Sequence, residues 1–321
     1  YDAPPTSKHH VMHRLAERNV VLWVNYHASR APSASASDLL WICKKLGKVF
    51  RGRTTPRPNL HVVTPLVVPL PRWAWARRLN RWLLKRQLRR QLKKLAAGEV
   101  EVWSFAPDIE YILDALSPAR VVYYCVDDFA HFSGYDTQQV LRDEEALARR
   151  ADLVVTTSRP LLESKSPWNP NTIFVGHGVE YDHFSSSDET PQPEALGNLP
   201  HPRLGFFGLI RDWIDLPMLI EVARQRPQWQ FVFLGDSTED LSAAKVQANM
   251  HFFGHQPYAE LPAWCGGFDV GLIPFRRNEL TEAVNPIKLR EYLAAGLPVV
   301  SSRMPEVVQY AEWVDFADTA E

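Results

Sequence analysis

Asn285-Pro286-Ile287-Lys288-Leu289-Arg290-Glu291-Tyr292-Leu293-Ala294-Ala295-Gly296-Leu297-Pro298-Val299-Val300 is the stretch on which the reading of this chain turns. Asn285 suits a helix N-cap and Pro286 the first helical position, while Gly296 stops the helix and Pro298-Val299-Val300 opens a strand. A helix start so defined leaves backbone N–H groups and the positive end of the helix dipole around Asn285, Pro286 and Ile287, and Lys288 adds a full charge in the first turn. This is an anion site of a kind that suits a diphosphate. Glu291, three residues on and on the same face, can accept hydrogen bonds from two ribose hydroxyls. The same two side chains also suit an exposed ion pair, which contributes only roughly 0.2–0.5 kcal/mol.

Working outward, apolar runs of strand length alternate with helical segments. Before the middle of the chain they fall at Val20 to Asn25, Val100 to Phe105, Arg120 to Val126, Leu153 to Thr157 and Thr172 to Val175. After it come strands Arg203 to Phe207, Gln230 to Leu234, His251 to Phe253, Val270 to Ile273 and Pro298 to Ser301, with helices Leu216 to Arg226 and Ile287 to Ala295. That order predicts an α/β chain of two Rossmann-like domains whose parallel sheets face each other across a cleft. The polar stretch Ser185 to Pro193 between the two series cannot bury a face. The expected division is therefore 1–184, a linker over 185–200, and 201–321. Tyr1 to Lys8 reads as the loop after a first strand that is absent, and the chain stops at Glu321 soon after a late strand, so both ends read as truncated.

The 45% hydrophobic content excludes a disordered or fibrous protein. Cys43, Cys125 and Cys265 lie far apart with no CxxC spacing, which points away from a disulfide framework or a zinc site. No run approaches the roughly 18 to 20 apolar residues of a spanning helix, which predicts a soluble or peripheral protein.

The helix-start segment closely resembles the donor-site signature of glycosyltransferase family 4 and its relatives, and the likeness extends over nearly the whole C-terminal half. Its further carriers are Phe206 to Asp215, Phe233-Leu234-Gly235-Asp236, Phe253-Gly254-His255-Gln256-Pro257-Tyr258 and Phe268 to Phe275. The pattern looks most like the bacterial teichuronic-acid type. The resemblance implies the GT-B fold, a UDP-linked nucleotide-sugar donor, Lys288 on the pyrophosphate and Glu291 on the ribose. Gly208 then lets backbone approach the donor phosphates, or simply turns the chain. Arg211 adds charge there, and His255 neighbours the base. The family's second glutamate, eight residues before the ribose-binding one, is replaced by Ala283, with Glu282 one residue out of register. That departure puts the retaining mechanism in doubt.

In the first half, Val121-Val122-Tyr123-Tyr124-Cys125-Val126-Asp127-Asp128-Phe129 places two carboxylates at the C-terminal end of a buried strand, where open parallel sheets bind ligands. With the donor signature in 201–321, the first domain is read as the acceptor-binding half; transfer of a sugar to a hydroxyl needs a base, and Asp127 is the candidate. The segment is similar to one in the xanthan-type glucuronosyltransferase, an inverting GT-B enzyme in which the matching aspartate is the base. Val175-Gly176-His177-Gly178-Val179-Glu180 resembles the loop that ends the N-terminal domain there. Helix capping and turn formation are the alternative for Asp127 and Asp128. His131 and His177 are acceptor or donor contacts, or hydrogen-bonded structure. Thr6 to His10 offers polar groups at the same end, or a helix capped by Thr6 or Ser7 with a solvated Lys8. No metal and no cofactor are expected.

Ten of the 36 Lys and Arg residues fall between Arg72 and Lys94, where there is no Asp or Glu. Two apolar stripes run through this segment, Trp75-Leu79-Trp82-Leu83 and Leu84-Leu88-Leu92-Leu95. One stripe can pack on the domain while Trp73, Trp75, Arg78, Trp82, Lys85 and Arg86 meet an anionic membrane surface. Nucleic acid is the rival polyanion, but no nucleic-acid motif accompanies the charge; a solvated helix with a buried leucine stripe is the plain alternative. The expectation is a transferase peripheral on the inner face of the cytoplasmic membrane, acting on a glycan or lipid-linked acceptor in bacterial cell-surface polysaccharide synthesis; the alternatives are a retaining family 4 transferase in which Asp127 only orients the acceptor, and a non-catalytic glycan- or membrane-binding protein that keeps the fold.

Overall fold

The computed structural model describes residues 1, 5–26, 47, 49, 52–68, 73–187 and 190–320. Arg72, Cys43, Asp188 and Glu189, part of the sequence reading, lie outside the described residues. Two compact units emerge: Tyr1–Thr156 with Leu161–Val175, and Thr157–Pro160 with Gly176–Glu321.

The first unit begins with helix α1 (Ser7–Ala16), followed by strands β1 (Val21–Val24), β2 (Thr54–Arg57) and β3 (Leu60–Val63). β1 and β3 run parallel, whereas β2 is antiparallel to β3. This antiparallel arm departs from the all-parallel expectation. It follows from the two-residue turn Pro58-Asn59, in which Asn59 adopts φ +60, a region asparagine tolerates. Helix α2 (Ala74–Lys94) then leads to a four-stranded parallel sheet of β4 (Glu101–Ser104), β5 (Arg120–Cys125), β6 (Leu153–Thr156) and β7 (Thr172–Phe174). Helix α3 (Thr137–Arg150) connects β5 to β6 and is capped by Asp136, which accepts from the Gln139 N–H at 3.1 Å. Residues 121–125 are all buried, as expected of a central parallel strand covered on both faces.

The second unit is built on β8 (Arg203–Phe207), helix α4 (Leu216–Gln225), β9 (Gln230–Leu234), β10 (Met250–Gly254), β11 (Val270–Ile273), helix α5 (Ile287–Ala294), β12 (Val299–Ser301) and β13 (Val314–Phe316). Its six strands are parallel in the order β10-β9-β8-β11-β12-β13. In chain order this is the 3-2-1-4-5-6 arrangement of a dinucleotide-binding fold, whose topological switch point lies between β8 and β11. Of the stretch read as a linker, Ser187 and Leu196 are buried, and the Ser187 hydroxyl donates to the Ala295 carbonyl at 3.2 Å within this unit.

Helix α5 is held in register by Tyr292, which is fully buried. Its ring fills the space over Gly271, where a Cβ would come within 2.6 Å of the ring, and its hydroxyl donates to the Gly205 carbonyl and accepts from the Phe207 N–H, each at 3.3 Å. The helix ends as the sequence predicts, with Gly296 N–H bonded to the Leu293 carbonyl and Leu297 N–H to that of Tyr292. Its start differs by one residue. Pro286 is the cap position and Asn285 does not cap. The Asn285 amide is committed elsewhere, donating to the Thr157 carbonyl at 2.7 Å and accepting from Arg290 at 2.7 Å.

Candidate functional site

In the second unit, β8 ends at Phe207 and the chain turns at Gly208, which has φ +130, a conformation side-chain-bearing residues rarely adopt. A Cβ built there would lie 2.5 Å from Cε and 2.7 Å from Nζ of Lys288, so the lysine lies directly over the glycine backbone. Beneath it, Gly235 (φ +139) brings its own backbone so close that a Cβ would overlap the Gly208 carbonyl oxygen, and the Gly208 N–H bonds to the Leu234 carbonyl at 2.8 Å. Two glycines thus stack two strand ends beneath one ammonium group, at the switch point of the sheet.

The Lys288 ammonium lies 5.4 Å from the centre of the Phe206 ring and forms no ion pair among the described residues. Burial holds its pKa below the ordinary lysine range, opposed by the charge of Glu291. Glu291 is itself buried, with its pKa pushed up to about 7, chiefly by burial and against the pull of Lys288. No hydrogen bond reaches its carboxylate among the described residues. Tyr258, on the turn after β10, has its phenol pKa raised by burial and by the Glu291 and Glu180 carboxylates, and its ring stacks on His183 at 4.7 Å. A desolvated carboxylate and a desolvated ammonium without partners are costly to a folded chain. Both groups suit a ligand that carries negative charge at one end and hydroxyl donors at the other.

Arg211 follows on the loop after Gly208. Its guanidinium lies over the Trp213 ring at 5.5 Å, and its buried Nε has no partner among the described residues. His255 is exposed just beyond the end of β10. His177, read from the sequence with the first domain, lies in the second unit. It is buried with Nδ1 unpartnered among the described residues, and burial followed by the nearby Arg290 depresses its pKa to about 4, so it is a neutral imidazole at ordinary pH.

In the first unit, Asp127 stands two residues beyond β5 and is half-buried. Burial raises its pKa to about 7, against the charge of Lys8, with Asp128 adding to the rise. Lys8, in the first turn of α1, is half-buried, and burial lowers its pKa against the opposing pull of Asp127. It is set there by the capping of α1, where Thr6 and His9 exchange hydrogen bonds between side chain and backbone. Asp128 accepts from His131 Nδ1 at 2.8 Å, which ties both to the local turn. The face of β5 below Asp127 is fixed by Glu144, which accepts from the Tyr123 hydroxyl at 2.6 Å and from Lys165 Nζ at 2.9 Å, all buried.

On α2, Ala76, Asn80, Leu84 and Leu88 face inward. The Asn80 amide accepts from the Val68 N–H at 2.7 Å and donates to its carbonyl at 2.9 Å. The other stripe is left outside: Trp73, Trp75 and Trp82 are 60%, 52% and 56% exposed. Arg78, Lys85 and Arg86 are exposed beside them, with the Arg86 guanidinium 5.8 Å from the Trp82 ring.

Residues 201–316 match the family model described as Glycosyl transferases group 1. The match lies wholly within the second unit. Over 220 residues the chain is 29% identical to TuaH of Bacillus subtilis, a protein named as a teichuronic acid biosynthesis glycosyltransferase. That match covers 64% of this chain and 55% of the relative, so the chain spans about half the length of the curated relative it matches. Among solved structures, HepE of Anabaena in complex with UDP and glucose is similar at TM-score 0.63 and 15% identity, over 95% of this chain and 87% of that one. Sucrose-phosphate synthase of Thermosynechococcus elongatus is similar at TM-score 0.66 and 13% identity, over 95% and 87%. An E. coli structure bound with UDP-2-fluoro glucose reaches 0.66 at 11% identity, over 99% and 86%. These likenesses establish the fold, which is GT-B.

Within the matched region the structure gathers Gly208, Lys288 and Glu291, which the sequence singled out, and adds Phe206, Gly235 and Tyr258 around them. The signal for these three was present in the runs Phe206-Phe207-Gly208, Phe233-Leu234-Gly235 and Phe253 to Tyr258, yet their roles depend on contacts between segments remote in sequence. Outside the matched region, Lys8 is the addition beside Asp127. Among the described residues no group of three or more His, Cys, Asp or Glu is arranged to hold a metal, and no helix is long and apolar enough to cross a membrane.

Proposed function

We propose that this protein transfers a sugar from a nucleotide diphosphate sugar, UDP-linked, to a hydroxyl of a glycan or lipid-linked acceptor in bacterial surface polysaccharide synthesis. The observation that carries the reading is the unpartnered pair of Lys288 and Glu291 over Gly208 at the switch point of the second unit. Lys288, the N–H groups at the start of α5, and Arg211 neutralise the departing diphosphate, and Glu291 holds the ribose hydroxyls. Positive charge fixed in a dry site stabilises the leaving group without a divalent metal. UDP is favoured by the UDP complexes of HepE and the E. coli structure, and a polysaccharide product by the name of TuaH.

Asp127 is the base. A carboxyl with a pKa of about 7 is matched to removing a hydroxyl proton near neutral pH. Direct inversion is the outcome this reading favours. Ala283 supplies no carboxylate, and neighbouring Glu282 is engaged by Arg277 at 3.2 Å. The exposed tryptophans and basic residues of α2 support a position on an anionic membrane surface, on its cytoplasmic face.

The test is Asp127→Asn with donor binding and transfer measured separately. UDP binding is expected to be unchanged, with transfer reduced by about 10²- to 10⁴-fold. Transfer at the native rate eliminates Asp127 as base. Native transfer by a chain in which Lys288→Met leaves UDP affinity intact removes the donor assignment.

A further inference from the structure

A cavity of about 490 Å³ opens in the first unit between the end of β3 and the C-terminal half of α2. It lies within the range of about 300–1,000 Å³ usual for small-molecule sites, and it sits where parallel strands end, the side on which open α/β sheets bind ligands. Val63, Thr64 and Pro65 form its floor, and Arg53 enters from the segment just before β2. Gln87, Arg90, Gln91 and Lys94 line it from α2, and their spacing of three and four residues sets them on one helical face. No carboxylate is among the described lining residues, and Arg53, Arg90 and Lys94 form no ion pair with any described residue.

Arg90 and Lys94, like charges one turn apart, repel each other. Lys94 in the last turn also complements the carbonyl end of the helix, but that effect is confined to the last turn and accounts for neither Arg90 nor Arg53. The two glutamines differ. Gln87 is satisfied, accepting from the Leu66 N–H at 2.9 Å and donating to its carbonyl at 3.0 Å. Gln91 leaves Oε1 buried with no partner among the described residues. Three cations and one orphaned acceptor specify a ligand bearing an anionic group and at least one hydroxyl donor.

We propose that this cavity binds an acidic saccharide, a sugar carrying a carboxylate or phosphate, with Arg53, Arg90 and Lys94 on the anion and Gln91 Oε1 on a hydroxyl. Its meaning as an acceptor subsite rests on the reading of the first unit as acceptor-binding; the binding itself does not. Titration calorimetry on the whole chain, with glucuronate, glucose 6-phosphate, glucose and inorganic phosphate, tests it. Both anionic sugars bind and glucose does not; whichever anionic sugar is tighter names the anion. Arg90→Gln with Lys94→Gln weakens both at least tenfold without moving the Tm, since the inward stripe of α2 is untouched, and Arg53→Gln on the opposite wall does the same. Gln91→Leu brings glucose 6-phosphate down to the level of inorganic phosphate. Glucose binding as well as its acidic counterparts, unchanged affinity in the basic variants, or inorganic phosphate equalling glucose 6-phosphate in the native chain overturns the proposal. An Asp127→Asn chain that transfers normally ends the base assignment but leaves this site standing, so the two ideas fail separately.

Discussion

Replacing Glu291 by glutamine separates what this residue does for the ligand from what it costs the fold. In the folded chain its carboxyl holds a proton up to about pH 7, whereas the unfolded chain releases it near 4.5. The native state therefore binds more protons between those values, and stability falls as pH rises through that window. A rise from 4.5 to about 7 corresponds to about 3 kcal/mol lost by pH 8. Glutamine does not titrate. Its buried amide carries a penalty of its own of about 1–3 kcal/mol, but that penalty is the same at every pH. Asp127 titrates in the same range and is present in both chains, so it cancels in the difference. The stability of the native chain minus that of Glu291→Gln, from urea unfolding of the whole chain at pH 5 and pH 8, is expected to fall by about 2.5 kcal/mol across that range. Saturating UDP, at about 100 times its Kd, adds about 2.7 kcal/mol to the native chain at pH 8 and little to the variant. A difference that stays flat with pH, or UDP stabilising both chains equally, refutes the claim that a desolvated Glu291 awaits ribose.

Gly208→Ala drives a methyl group to within 2.5 Å of Lys288 Cε and adds about 1–3 kcal/mol of backbone strain, so UDP affinity drops more than tenfold, read by fluorescence titration. Since Asp127 must be ionised to act, kcat/KM rises with pH through about 7, and removing the opposing charge by Lys8→Met moves that acid limb to higher pH; a limb that stays put sinks the pairing of the two residues. Replacing Trp73, Trp75 and Trp82 by serine lowers co-sedimentation with anionic vesicles at least tenfold at unchanged Tm, and salt weakens binding of the native chain; equal binding by the variant removes α2 as the contact surface.

Much of the fold was legible from local pattern. Strands β8, β9 and β11 run as read, and the stop of α5 at Gly296 carries both expected backbone bonds. Such features depend on residues within a few positions of one another, which sequence order preserves. The start of α5 was misplaced by one residue because Asn285 was judged on its capping preference alone, while its amide is claimed by Thr157, 128 positions away. The hairpin of β2 and β3 was missed because Thr54–Arg57 is exposed throughout and carries no alternating apolar signal.

For the site, residue identity named Lys288, Glu291 and Asp127 without the structure, because a cation at a helix start and carboxylates at a strand end are readable from one stretch of chain. Only the tertiary structure decided their condition. Burial lifts Glu291 and Asp127 to about 7, the backbone of Gly208 receives Lys288, and the first turn of α1 brings Lys8 toward Asp127. Helix α2 shows the same division: the sequence supplied two apolar stripes, and only packing decided which was buried and which left its tryptophans in water. Desolvation and close approach are sums over neighbours remote in sequence, so no window of residues contains them.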